Sequence, residues 1–145
     1  MKKLKYIFSV VALSSLVTFM SCGDDDSSGP SDIDRFVGAW TASSVTLNDF
    51  DVTSPSYSDF RITFNSDGSY ITVGGDPVFT NTGGFWTISS SSASNIGLDV
   101  DGVAVQAGFG ADDTTLTLTF TATDEVIGAR TSGLAGNYVF TLAKQ

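Results

Sequence analysis

No histidine occurs among the 145 residues, and cysteine occurs once, at Cys22. The first absence removes the commonest general base, the commonest transition-metal ligand and the usual partner of a nucleophilic serine. The second excludes an internal disulfide and a thiolate zinc site, each of which needs more than one thiol. Positive charge is scarce: 7 Lys and Arg stand against 16 Asp and Glu, a formal net charge of −9. That balance argues against nucleic acid as a partner, because binding there is dominated by cationic contacts to phosphate. It argues equally against electrostatic attachment to anionic lipid. Beyond the N-terminal leader no window holds a sustained 3.6-residue apolar period, so amphipathic helices are not expected. No glycine loop is followed by a helix that would cradle a nucleotide.

What the chain does have begins with a leader. Lys2, Lys3 and Lys5 precede an apolar run from Tyr6 to Met20, shorter than the about 20 residues that a membrane-spanning helix needs. Ser21 is a small residue beside a cleavage point, and Cys22 follows it. The stretch Phe19-Met20-Ser21-Cys22 resembles a bacterial lipobox, with an aromatic residue where an aliphatic one is usual. The resemblance implies that residues 1–21 are a lipoprotein signal peptide, removed before Cys22, and that the Cys22 thiol carries the lipid holding the chain to a membrane. All three leader lysines would go with it. Arg35, Arg61, Arg130 and Lys144 would then face all 16 acidic residues. Residues 22–35 read as an acidic tether, since Gly23 to Asp34 (GDDDSSGPSDID) holds little apolar surface to bury. Asp24-Asp25-Asp26 looks like the acidic export signal of Bacteroidota surface lipoproteins, which implies an outer-membrane protein exposed on the cell surface.

From Phe36 to Gln145 the pattern is one domain of short strands. Phe60, Ile62 and Phe64 share a face; Ser66-Asp67-Gly68 turns the chain into Ser69–Val73. Ala39–Leu47, Val78–Thr80 and Phe85–Ser89 are further strand candidates, and Ser89 to Asn95 (SSSSASN) reads as a low-complexity loop. Asp101-Gly102 is a strong hairpin signal between 95–100 and 103–109. Leu116, Leu118 and Phe120 alternate with threonines, and Tyr138, Phe140 and Leu142 form the last inward set. About eight short strands joined by tight turns give an all-β fold: a small antiparallel up-and-down barrel, with a two-sheet sandwich as the alternative. The barrel is preferred because closure removes exposed edges.

Phe36-Val37-Gly38-Ala39-Trp40 resembles the Gly-x-Trp start of lipocalins and lipocalin-like domains, and FNSDGSY (64–70) and GGFWTI (83–88) look like small lipocalin-like lipoproteins of Bacteroidota. Glycine would let the chain pass under the barrel and tryptophan would plug the closed end. On this resemblance Gly38 and Trp40 are structural, and Arg130 is the candidate for the late arginine that often packs over that tryptophan. The helix after the barrel and the Thr-Asp-Tyr motif of typical lipocalins are absent.

The resemblance also implies a cavity for a small apolar molecule, and Phe85, Trp86, Tyr70 and Phe109 are the candidate ligand-binding residues. Phe85 and Trp86 are adjacent, hence on opposite faces, and Phe85 is the candidate to point outward and stack on a glycan or anchor an envelope protein. Asp99 with Asp101, Asp112 with Asp113, and the other carboxylate pairs read as turn residues rather than a metal site or a hydrolytic pair. Asp113-Thr114-Thr115 resembles a short O-glycosylation sequon of exported Bacteroidota proteins, with Thr114 as acceptor. The expectation is a non-catalytic, lipid-anchored binding protein without cofactor or metal; the alternative is an accessory protein whose solid barrel docks onto a larger envelope complex.

Overall fold

Strand β1 (Gly38–Leu47) has partners along both of its sides, and this closes the sheet. The computed structural model describes residues 31–79, 82–92, 95–123 and 135–145. Helix α1 (Asp32–Phe36) leads into β1, which hairpins at Asn48-Asp49 into a two-residue β2 (Phe50–Asp51). A single irregular turn over Thr53–Tyr57 then leads to β3 (Arg61–Phe64), β4 (Ser69–Val73), β5 (Gly84–Ser91), β6 (Ile96–Val100), β7 (Val103–Phe109), β8 (Thr115–Ala122) and β9 (Gly136–Lys144). Neighbours pair antiparallel in the order β1-β3-β4-β5-β6-β7-β8-β9, and β9 returns to β1. The result is a closed eight-stranded meander with β2 as an appendage, the barrel expected from the alternation.

Parity decides what is inside. Ile62 and Phe64, Tyr70 and Thr72, and Leu116, Leu118 and Phe120 are all buried, while the residues between them face outward or lie half-buried. In β1 the inward set is Trp40, then Val45; a register shift between Ala42 and Ser44 changes the parity halfway. This bulge is secured by the Ser43 hydroxyl, which donates to the Thr141 carbonyl at 2.9 Å. The Asp101-Gly102 turn has positive φ at both positions (49° and 83°), the geometry that suits a two-residue hairpin.

Aromatic rings fill both ends. At one end Phe36 lies 4.7 Å from Phe109, 5.5 Å from Trp86 and 5.8 Å from Phe64, centroid to centroid. At the other Phe140 lies 4.9 Å from Phe60, 5.2 Å from Tyr57 and 5.6 Å from Phe79. In each cluster some rings come from outside the strands: Phe36 from α1, and Tyr57, Phe60 and Phe79 from connecting segments. They insert into the two mouths of the barrel and are themselves buried.

Three expectations are corrected. The acidic stretch running to residue 35 does not stay a tether throughout. Ser31 caps α1 in a reciprocal capping box with Asp34, and Phe36 ends the helix instead of opening β1. Local capping and one buried ring order a segment whose composition alone reads as solvated. The serine run is not all loop: β5 continues to Ser91, because its ladder with β6 extends to Ser91↔Ile96 through a bulge after Ile88. Val78 lies in a turn with only Phe79 bridging, where a short strand was expected, and Thr80 is outside the described residues.

Phe140→Ala is expected to cost about 3–5 kcal/mol, the usual penalty for emptying a buried ring site. Thr119→Ala, on the outer face, is expected to stay within about 0.5 kcal/mol. Urea denaturation of the two variants separates them; equal midpoints would contradict the inward assignment of Phe140.

Candidate functional site

The Gly-x-Trp pair sits at the end of the barrel that α1 covers. Trp40 is fully buried and its Nε1–H donates to the Phe36 carbonyl at 2.8 Å, so the tryptophan holds the plug in place. Gly38 is required by its backbone, at φ +131°, more than by crowding: an added Cβ would meet only Lys144 Cε at 3.5 Å. A cation does lie over the tryptophan, but it is Lys144, with Nζ 5.2 Å from the Trp40 ring centroid and 3.4 Å from the Arg35 carbonyl. Arg130, the residue expected there, lies outside the described residues. On the same end Arg35 donates through Nη2 to Asp113 at 2.7 Å and lies 4.2 Å above Phe109. Asp113 is thus an ion-pair partner of the plug helix, and Thr114 beside it is exposed.

The four candidate ligand-binding residues do not meet on one surface. Trp86 is buried at the plugged end, with Nε1–H shared between the Ser69 carbonyl at 3.1 Å and the Asn65 carbonyl at 3.3 Å. Phe109 is half-buried beneath Arg35 and also lies 6.0 Å from Trp40. Tyr70 is buried, and its hydroxyl reaches the β6–β7 turn to donate to Asp101 Oδ2 at 2.7 Å. Phe85 points outward and is 71% exposed.

Phe85 has company. Ile71 and Val73 on β4 are 53% and 55% exposed, because Tyr70 and Thr72 take the inward parity of that strand. The register pairs Phe85 with Ser69, which places Ile71 one diagonal away on the same face. Val73 follows it, opposite Arg61 of β3. The three side chains make an oblique apolar stripe over β4 and β5. Ile71 and Val73 were not singled out from sequence, although consecutive apolar residues in SYITV signal a strand apolar on both sides. Phe50 was also passed over; it is 76% exposed beside the β1–β2 turn, across from Leu47.

Asp101 holds this face in position. Its Oδ1 accepts the Phe85 N–H at 2.9 Å, and its own N–H donates to the Phe85 carbonyl at 3.0 Å. Gly84 makes that approach possible, since a Cβ there would lie 1.9 Å from Asp101 Oδ2. Asp99 Oδ1 accepts the Gly102 N–H at 2.8 Å within the same turn. The Asp99/Asp101 pair therefore makes turn and inter-strand bonds, and among the described residues no group of three or more acidic, His or Cys side chains could hold a metal ion. Cys22 and Asp24–Asp26 lie outside the described residues, as do Asp124 and Glu125.

Burial, followed by the bond to Asp101, raises the Tyr70 pKa above its ordinary 10.0. Burial likewise raises Tyr57 and Tyr138. The folded state thus favours the neutral phenols, so their contribution is complete below about pH 10, where the unfolded chain begins to ionise, and is lost as pH rises further. The urea midpoint is expected to fall above about pH 10, and Tyr70→Phe to shallow that fall; a midpoint unchanged to about pH 11 would contradict it. Comparison of the chain with family models, with curated proteins and with solved structures finds no match.

Proposed function

We propose that this chain is a lipid-anchored, non-catalytic binding protein of the cell envelope, and that its contact surface is the outer face of β4 and β5 centred on Phe85. The observation that carries the reading is the contrast between the barrel's two surfaces. Inside, rings from strands and connecting segments pack on one another at both ends, and Tyr70, Trp86 and Phe109 are engaged with the protein itself. Outside, an aromatic and two aliphatic side chains stand exposed together, with the Phe85 backbone fixed on both its N–H and its carbonyl. Exposed apolar groups on a rigid sheet are what a partner-binding surface supplies. This favours a glycan or protein contact over a small molecule enclosed in the barrel.

The anchor follows from the Phe19–Cys22 lipobox resemblance, and surface exposure from Asp24–Asp26. Lack of histidine and the use of Asp99, Asp101 and Asp113 in structural bonds support a non-catalytic role. The lipocalin-like reading is supported by Gly38, Trp40 and the closed eight-stranded meander.

A photo-crosslinking residue at position 85, displayed on intact cells, is expected to give an adduct that the same residue at Gln106, exposed on β7, does not. Loss of that difference would remove the contact-surface reading. Cys22→Ala is expected to release the protein from the membrane fraction, and alanines at Asp24–Asp26 to protect it from protease added outside the cell. Membrane retention in the first or undiminished shaving in the second would remove the corresponding part of the address. Thr114→Ala is expected to abolish any mass above that of the bare lipoprotein.

A further inference from the structure

We infer that the partner of the Phe85 face is a protein surface with basic side chains arranged about an apolar centre. This rests on the reading of that face as the contact surface and adds the chemistry of what it contacts. The apolar part is continuous: Phe85, the diagonal Ile71 and then Val73. Two β-branched aliphatics beside one ring suit apolar side chains, whereas a sugar stacks on an aromatic face and gains little from branched aliphatics.

The border of this stripe is acidic on the Phe85 side. Asp101, in the β6–β7 turn, is bonded to the Phe85 backbone, and Asp99 on β6 pairs with Thr87, two residues along β5. Asp67 lies in the turn before β4 and accepts from both the N–H and the hydroxyl of Ser69, the residue opposite Phe85. All three carboxylates are exposed and held by hydrogen bonds, so their charges are fixed in place without being neutralised. Among the described residues no cation is paired with them. Of the described basic residues, Arg35 is paired with Asp113 and Lys144 lies over Trp40, both at the plugged end; Arg61 lies beside Val73, on the border away from Phe85. A second copy of this chain would bring one arginine against three carboxylates, and its four cations beyond the leader and 16 acidic residues would set like charge against like. A basic partner instead meets complementary charge around an apolar centre, the arrangement that steers encounter and fixes register.

The test uses the full lipidated chain in detergent micelles and three probes: an amphipathic Leu/Lys peptide, its Leu/Glu counterpart of equal length, and maltohexaose. The Lys peptide is expected to bind, and to bind about tenfold more weakly when salt rises from about 50 to about 300 mM. Phe85→Ala is expected to weaken it about tenfold. Asp99→Asn, which keeps an acceptor for the Gly102 N–H, should weaken it about threefold, and Asp49→Asn, in the β1–β2 turn, should leave it unchanged. No binding of the Lys peptide, equal binding of the Glu peptide, or binding indifferent to Phe85→Ala overturns the inference. Phe85-dependent binding of maltohexaose without the Lys peptide also overturns it, while leaving Phe85 as the contact surface. Failure of the position-85 crosslink on cells instead removes that underlying reading.

Discussion

Closure through β1 is the constraint on which the rest of this structure depends. Because β1 pairs with β3 on one side and β9 on the other, every inward residue of eight strands faces a single interior, and each main strand has a ladder on both sides, the shortest being the two pairs between β4 and β5. Closure also fixes parity: a strand slipping by one residue would turn its whole inward set to solvent. The bulge near Ser43 is the local adjustment that lets one long strand keep Trp40 and Val45 on the same side. With a single cysteine in the chain and no disulfide possible, this ladder and the packing inside it carry the fold.

A barrel must also be stoppered, and here each end is filled by rings that arrive from outside the strands. Phe36 enters from α1 and is held by the Trp40 indole N–H, while the Arg35–Asp113 pair and Lys144 tie the helix to the rim. Tyr57, Phe60 and Phe79 enter the opposite end from connecting segments. Interiors built this way are close-packed, and an apolar molecule would have to displace ring contacts to enter. The same packing supports a rigid wall, and a partner of the proposed outer contact surface would cost it little conformational entropy. Asp101 extends that rigidity to the surface by joining β4, β5 and the β6–β7 turn through one carboxylate.

Much of the barrel was legible because alternation is a local property. Leu116, Leu118 and Phe120, and Tyr138, Phe140 and Leu142, lie inward as their spacing requires, and Phe85 and Trp86 occupy opposite faces. The misread segments are those where a distant contact overrides composition. Asp32–Arg35 looks like solvated linker until Phe36, packing on Phe109 and Trp86, draws it into a capped helix. Ser89–Ser91 looks like loop until β6 offers it a ladder. Lys144 reaches Trp40 only because the last strand returns beside the first.

The amino-acid sequence by itself determined the all-β class, the lack of histidine chemistry, the acidic balance and the placing of Phe85 and Trp86 on opposite faces, since each follows from composition or from a two-residue period. Only the tertiary structure decided which residues stand together. Ile71 and Val73 join Phe85 through the β4–β5 register, and Asp101 meets Tyr70 across 31 positions of chain. Tyr70, Trp86 and Phe109 are drawn into the packing of the interior. The reason is physical: parity along a strand is set by neighbouring peptide units, whereas proximity between strands is set by how the whole sheet closes.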